Sequence, residues 1–151
     1  MAGTIELSID NYGIPGKGLT IKELRFICVA DASDASFPVA NTGIIAGAPG
    51  NSTSFTKLIQ GWFLHKIIVN PGVVAPTISS DLTMTDKHEI DVLDGNGTDL
   101  IHNTDSKSSY AMIDGVPSLQ PVLGDYILTI TNNAVNSAIL IVTLIFVPNM
   151  M

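Results

Sequence analysis

Asp125-Tyr126-Ile127-Leu128-Thr129-Ile130 runs into Thr131-Asn132-Asn133-Ala134-Val135-Asn136-Ser137-Ala138, and then Ile139-Leu140-Ile141-Val142-Thr143-Leu144-Ile145-Phe146-Val147-Pro148 follows. Two β-branched apolar runs flank a polar connection, the signature of a β-hairpin or its longer-looped relative. In the second run Leu140, Val142, Leu144 and Phe146 share one face. Ile139, Ile141, Ile145 and Val147 share the other, and Thr143 alone is polar. A strand apolar on both faces requires cover on both, so it lies inside a sandwich or at a subunit interface. Left uncovered, such a run is an aggregation segment.

The rest of the chain fits short strands around that ribbon. Thr4-Ile5-Glu6-Leu7-Ser8-Ile9-Asp10 alternates cleanly, so Ile5, Leu7 and Ile9 mark the inner face of a half-buried strand. Asn11 to Gly18 is a turn-rich connection. Thr20-Ile21-Lys22-Glu23-Leu24 has some helical character, whereas Arg25-Phe26-Ile27-Cys28-Val29-Ala30 has the β-branched and aromatic content of a strand. Residues 31–60 are the least regular and form either an extended arm or a locally ordered loop. Trp62 to Val69 is a strand ended by Asn70-Pro71-Gly72. Beyond Ala75-Pro76-Thr77, Asp81 to Asp86 and Glu89 to Leu93 continue what the pattern predicts to be an antiparallel meander. No stretch longer than about ten residues keeps a 3.6-residue period with caps, so helices should be few and short. The pattern predicts an all-β chain, an antiparallel and jelly-roll-like β-sandwich over 1–151 as a single domain, with 31–60 as its possible arm.

Composition narrows the function classes. Of the 151 residues, 46% are hydrophobic and only 14% charged, with a formal net charge of -7. Soluble domains carry about 25% charged residues, so a chain this poor in charge shields much of its exterior in contacts or wets it with Ser, Thr and Asn. Arg25 is the sole arginine and the remaining cations are scattered lysines, which argues against nucleic acid and against an anionic membrane as partners. Met1-Ala2-Gly3-Thr4-Ile5-Glu6 has neither the basic start nor the apolar core of a secretory signal. The apolar run Ile139 to Val147 falls well short of the ~20 residues of a spanning helix. A soluble chain, at least until assembly, is the expectation. The single cysteine, Cys28, allows no intrachain disulfide and reads as a small buried hydrophobe.

Chemistry-bearing patterns are weak. Asp94, Asn96 and Thr98 match the first ligand positions of a calcium loop, and Asp105 falls at the closing carboxylate. The match fails where Asp99 occupies the position that needs glycine, and the loop then reads as a Gly-Asn-Gly turn with solvated acids. His65 alternates with Phe63 and Ile67, as a core or interface side chain does, while His88 and His102 lie in polar connections. Glu89, Asp91 and Asp94 are neighbouring acids in an acidic chain; 89 and 91 would share a face if on a strand. Gly16-Lys17-Gly18-Leu19-Thr20 lacks the spacing of a phosphate loop. No nucleophile elbow or zinc-hydrolase spacing appears. No catalytic, cofactor or metal residue is assigned, and no enzyme is expected.

From Gly61 onward an ordered series of features carries a likeness. A strand is followed by Ile68-Val69-Asn70-Pro71-Gly72 and Ala75-Pro76-Thr77, then by Asp81-Leu82-Thr83-Met84-Thr85-Asp86 and Asp91-Val92-Leu93. Leu128-Thr129-Ile130 and Asn136-Ser137-Ala138 precede the terminal apolar strand. In this the chain resembles small virion structural proteins of tailed bacteriophages. It departs from them between Asp94 and Pro121, and its first sixty residues carry no such likeness. The resemblance implies a non-enzymatic β-sandwich in the virion, most simply a capsid decoration (cement) protein on the head shell. It implies the major capsid protein or another virion protein as partner and residence in the host cytoplasm before assembly. It also implies a homo-oligomer, with a homotrimer favoured because cement proteins often sit on local three-fold axes. A receptor- or carbohydrate-binding tail or fibre module is the alternative, and it requires exposed aromatics. A small hydrolase on a β scaffold is the third possibility, without a residue set to support it.

Overall fold

A computed structural model describes residues 3–43 and 55–148, excepting the side chains of residues 14, 19 and 20. The chain folds as an antiparallel, all-β sandwich. Its larger sheet begins with β1 (Thr4–Ile14) and β2 (Gly18–Val29), a long hairpin whose turn carries Gly16 and Gly18 at positive φ. The segment 20–24 is strand, not helix, because it continues the β1 ladder. The smaller sheet contains β3 (Ala40–Asn41), and α1 (Phe55–Ile59) is the one α-helix among the described residues. β4 (Phe63–Pro71) belongs to the larger sheet and β5 (Asp81–Thr85) to the smaller.

Four short strands follow a 3-10 turn at Asn96–Asp99: β6 (Lys107–Tyr110), β7 (Met112–Ile113), β8 (Val116–Pro117) and β9 (Gln120–Pro121). β7 and β8 pair as a small hairpin, and β6 and β9 both pair with β4. β10 (Ile127–Thr131) and β11 (Ile139–Val147) are the last two described strands. The larger sheet runs β1-β2-β11-β4-β6 and the smaller runs β3-β10-β5.

The closing hairpin expected from the sequence does not form. β10 pairs with β3 and β5, while β11 pairs with β2 and β4, so residues 132–138 cross between layers as an arch. Two apolar strands joined by a polar link look alike in both arrangements. What separates them is that β11 offers apolar side chains along its whole length and takes the most protected position, the middle of the larger sheet. The predicted meander fails likewise, since β4 and β5 lie in different sheets. Residues 89–93 form turns with a single bridge, Thr85 to Asp91, and β4 runs on through Asn70 and Pro71 against β11.

The core lies between the two sheets. Leu24, Phe26 and Cys28 of β2, Ile67 and Val69 of β4, and Leu140, Val142, Leu144 and Phe146 of β11 supply one side. Leu82 and Met84 of β5 with Leu128 and Ile130 of β10 supply the other. Tyr126 reaches across to Phe146 with ring centroids 6.5 Å apart. Burial raises the Tyr126 phenol pKa above its ordinary value, and the charge of Asp86 adds to that.

The second face of β11 is different. Ile139, Ile141, Thr143, Ile145 and Val147 are half-buried and lie outside the core cluster. The expectation of protein above and below this strand is thus met on one side only by the described residues.

Candidate functional site

Registers across the larger sheet place specific side chains in rows on its outer face. One row reads Glu6, Ile27, Ile141, Asn70. The next reads Ser8, Arg25, Thr143, Ile68, Ser108, and the third Asp10, Glu23, Ile145, Lys66, Tyr110. Val29 beside Ile139 and Phe63 beside Val147 bound the two ends. The centre is therefore an aliphatic band, with acids along β1 and β2, Arg25 also on β2, and Lys66 on β4. Neighbouring β-branched side chains partly shade one another, which is why these positions are half-buried without a covering layer.

The band continues at Val147 into an apolar groove of about 570 Å³ lined by His65, Tyr110, Pro117, Leu119 and Val147, with Ser118. The His65 and Tyr110 rings stand 5.3 Å apart at 52°, and Lys66 Nζ sits 5.6 Å from the Tyr110 ring. His65 is thus a groove-wall side chain and not a core one. It lies where the β4–β11 ladder shifts register between Ile145 and Phe146, which breaks the strand alternation assumed for it.

The β7–β8 hairpin forms a ridge beside this groove. Its turn is Asp114-Gly115, with φ 49 and 76, the left-handed pair of a two-residue hairpin. Ile113 and Val116 flank the turn and are exposed, as are Leu119, Leu123 and Ile90. On the far side of the ridge lies a groove of about 340 Å³, floored by Ile90, Met112, Ile113 and Leu123 and edged by Asp86, Asp91, Asp94 and Asp114. The Asp-Gly dipeptide between apolar residues signals such a hairpin in sequence and was available to predict it; the exposure of its flanks was not.

These carboxylates work on their own backbone. Asp91 accepts from the Leu93 and Gly95 N–H groups, Asp86 from those of His88 and Ile90, and Asp94 from that of Gly115. In the loop with calcium-like spacing, Asn96 donates to the Leu93 carbonyl and Thr98 to the Gly95 carbonyl, while Gly97 packs on β5. Asp105 lies instead beside His102, whose Nδ1 accepts from the backbone N–H groups of Thr104 and Asp105. The presumed ligands do not converge, and no group of three His, Cys, Asp or Glu suited to a metal occurs among the described residues. Glu89 and Asp91 occupy turns, not one face of a strand, with Glu89 at φ 63.

Cys28 is fully buried in β2, and burial pushes its thiol pKa up to about 12. His88 is exposed in a turn, and His102 is half-buried in a connection. No described helix is long and apolar enough to cross a membrane. A polar cluster passed over by sequence reasoning joins Thr42, Thr56 and Asp125. The Tyr126 N–H donates to Thr42 Oγ1, Thr42 lies 2.7 Å from Thr56 Oγ1, and Thr56 donates to Asp125 Oδ1 at 2.6 Å. No signal in the sequence links positions so far apart.

Comparison with protein-family models, with curated proteins and with solved structures finds no match. The described residues offer the chemistry of surfaces: an aliphatic sheet face, an apolar ridge between two grooves, and carboxylates engaged in turns.

Proposed function

We propose that this chain is a non-enzymatic structural protein of a bacteriophage virion, most specifically a capsid decoration (cement) protein that self-associates and ties shell subunits together. One observation carries the proposal: the exposed apolar ridge of Ile113, Val116, Leu119 and Leu123 runs into the half-open aliphatic face of the larger sheet. Contiguous exposed apolar surface on a soluble chain marks a contact surface. A cement protein needs extended contact, since it must bridge neighbouring subunits. The partner surface is then the major capsid protein or an adjoining virion protein, and the working location is the outside of the head, reached from the host cytoplasm.

Heads assembled without this chain provide the test. The purified chain should co-sediment with them to saturation, and Ile113→Asp combined with Leu123→Asp should abolish that binding while the chain stays folded. Absence of binding, together with no density for the chain in images of the parent particle, removes the proposal.

The His65–Tyr110 pair beside its apolar groove favours one other reading, a carbohydrate- or receptor-binding tail or fibre module. A glycan array separates the two: saccharide binding lost with Tyr110→Ala would replace the decoration role.

A further inference from the structure

We propose that a second copy of this chain packs face to face on the outer side of the larger sheet, about a two-fold axis that runs parallel to β11 at Thr143. This refines the self-association proposed above by naming a face and a symmetry, and its test needs no shell. Such an axis lays the strand order β1-β2-β11-β4-β6 against its own reverse, so β11 meets β11 and β2 meets β4. In the row Asp10, Glu23, Ile145, Lys66, Tyr110, Glu23 of one copy then faces Lys66 of the other, twice by symmetry. Ile145 meets Ile145, and Asp10 meets the Tyr110 hydroxyl. In the neighbouring row Arg25 lies along Ile68, and Thr143 meets Thr143.

The other two-fold in the plane, running across the strands at Thr143, places Glu6 of one copy against Asp10 of the second. Like charges facing each other disfavour it. Charge complementarity therefore selects the axis as well as the face.

Size is adequate. Five strands separated by four gaps of about 4.8 Å, and about 3.3 Å per residue along β11, give a face of roughly 600 Å², or roughly 1,200 Å² lost by two copies. That reaches the lower edge of stable protein interfaces, about 1,200–2,000 Å² in total. No charged side chain of β11 enters the contact, and aligned sheets pack with strands within about 30°. The symmetry differs from the homotrimer implied by the resemblance, because a self-complementary face closes in pairs.

Sedimentation equilibrium of the full chain should give a mass of two copies. Glu23→Lys or Lys66→Glu alone should weaken association at least tenfold, and the two together should restore it to within threefold of the parent. A structural role for either residue would not produce that rescue. A Thr143→Cys variant, whose added thiol lies on the axis, should yield a covalent pair with a short bismaleimide. Thr83→Cys, exposed on the opposite sheet, should not. A mass of one or three copies, no rescue in the double variant, or cross-linking equal at both sites would each overturn the pairing. Since shell binding depends on the Ile113–Leu123 ridge, loss of either property leaves the other measurable.

Discussion

Thr42 and Thr56 join distant segments of the fold through two buried hydroxyls. Thr56 Oγ1 gives its proton to Asp125, which leaves Thr42 as donor to Thr56 and acceptor of the Tyr126 N–H. The chain of bonds returns to the residue next to where it began, and it holds β3, α1 and the start of β10 together. Thr56→Val keeps the shape but strands both partners, and should cost about 1–3 kcal/mol in chemical denaturation. Thr42→Val should cost as much, and the double variant less than the sum; additive losses would show that the bonds are independent. Gly43 belongs to the same site, since a Cβ there would lie 2.3 Å from Asp125 Oδ2. At Cys28 the fold favours the neutral thiol, because its pKa is raised from an ordinary 9.0 to about 12. Stability from that burial is complete below the ordinary value and is lost as pH climbs through the folded one. In mildly alkaline buffer the native chain should resist a thiol reagent and react fully once denaturant is added. Fast native labelling would contradict the burial of Cys28.

At the scale of elements, the arch between β10 and β11 is the decisive connection. Asn132 and Ser137 take φ 62 and 56, turning the chain at both ends of the crossing. Asn133 between them accepts from the Thr77 N–H and donates to the carbonyls of Ala35 and Val135, so one amide clips three segments. Asn133→Ala should therefore cost about 2 kcal/mol, well above a surface substitution; a loss below about 0.5 kcal/mol would remove this role. The 3-10 turn at Asn96–Asp99 is similarly committed. A Cβ on Gly97 would stand 1.8 Å from the Leu82 carbonyl oxygen, so Gly97→Ala must push the turn off β5. Thermal melts should show that variant destabilised by about 1–3 kcal/mol, while Gly95→Asn, at a left-handed position facing open space, stays near the parent.

For the molecule as a whole, sequence-distant pairing dominates. β11 sits between β2 and β4, so the middle of the larger sheet is finished only after Val147 has been made. Contacts this far apart must overcome loop-closure entropy before they contribute, and folding should be slow, in the range of milliseconds to seconds or longer. Ending the chain after Ser137 should abolish the cooperative unfolding transition and not merely lower the midpoint, because two neighbouring strands lose their shared partner. A truncated chain that still melts cooperatively would show that β11 is peripheral. The long wait with apolar β2 and β4 edges open also predicts aggregation during refolding at high concentration.

How much was legible in the residues follows from what is local. Alternation in Thr4 to Asp10 and the β-branched runs at 25–30, 62–69 and 139–147 specify strands, since a two-residue period depends on neighbours alone. The all-β class and the burial of Cys28 were open to the same reasoning. Partner choice was not: a hairpin and an arch present the same string of residue types, and β10 and β11 part company because two sheets compete for their apolar faces. The Asp94 loop meets the first ligand positions yet spends those side chains on backbone groups, Asp94 accepting from the Gly115 N–H while Asn96 and Thr98 donate to carbonyls, a contest between turn and ion that spacing cannot express. The facing of Glu23, Ile145 and Lys66 in one row, and the meeting of Thr42, Thr56 and Asp125, exist only once distant segments are brought to a common register. Composition thus dictated that apolar faces be buried, and packing selected which face was left over.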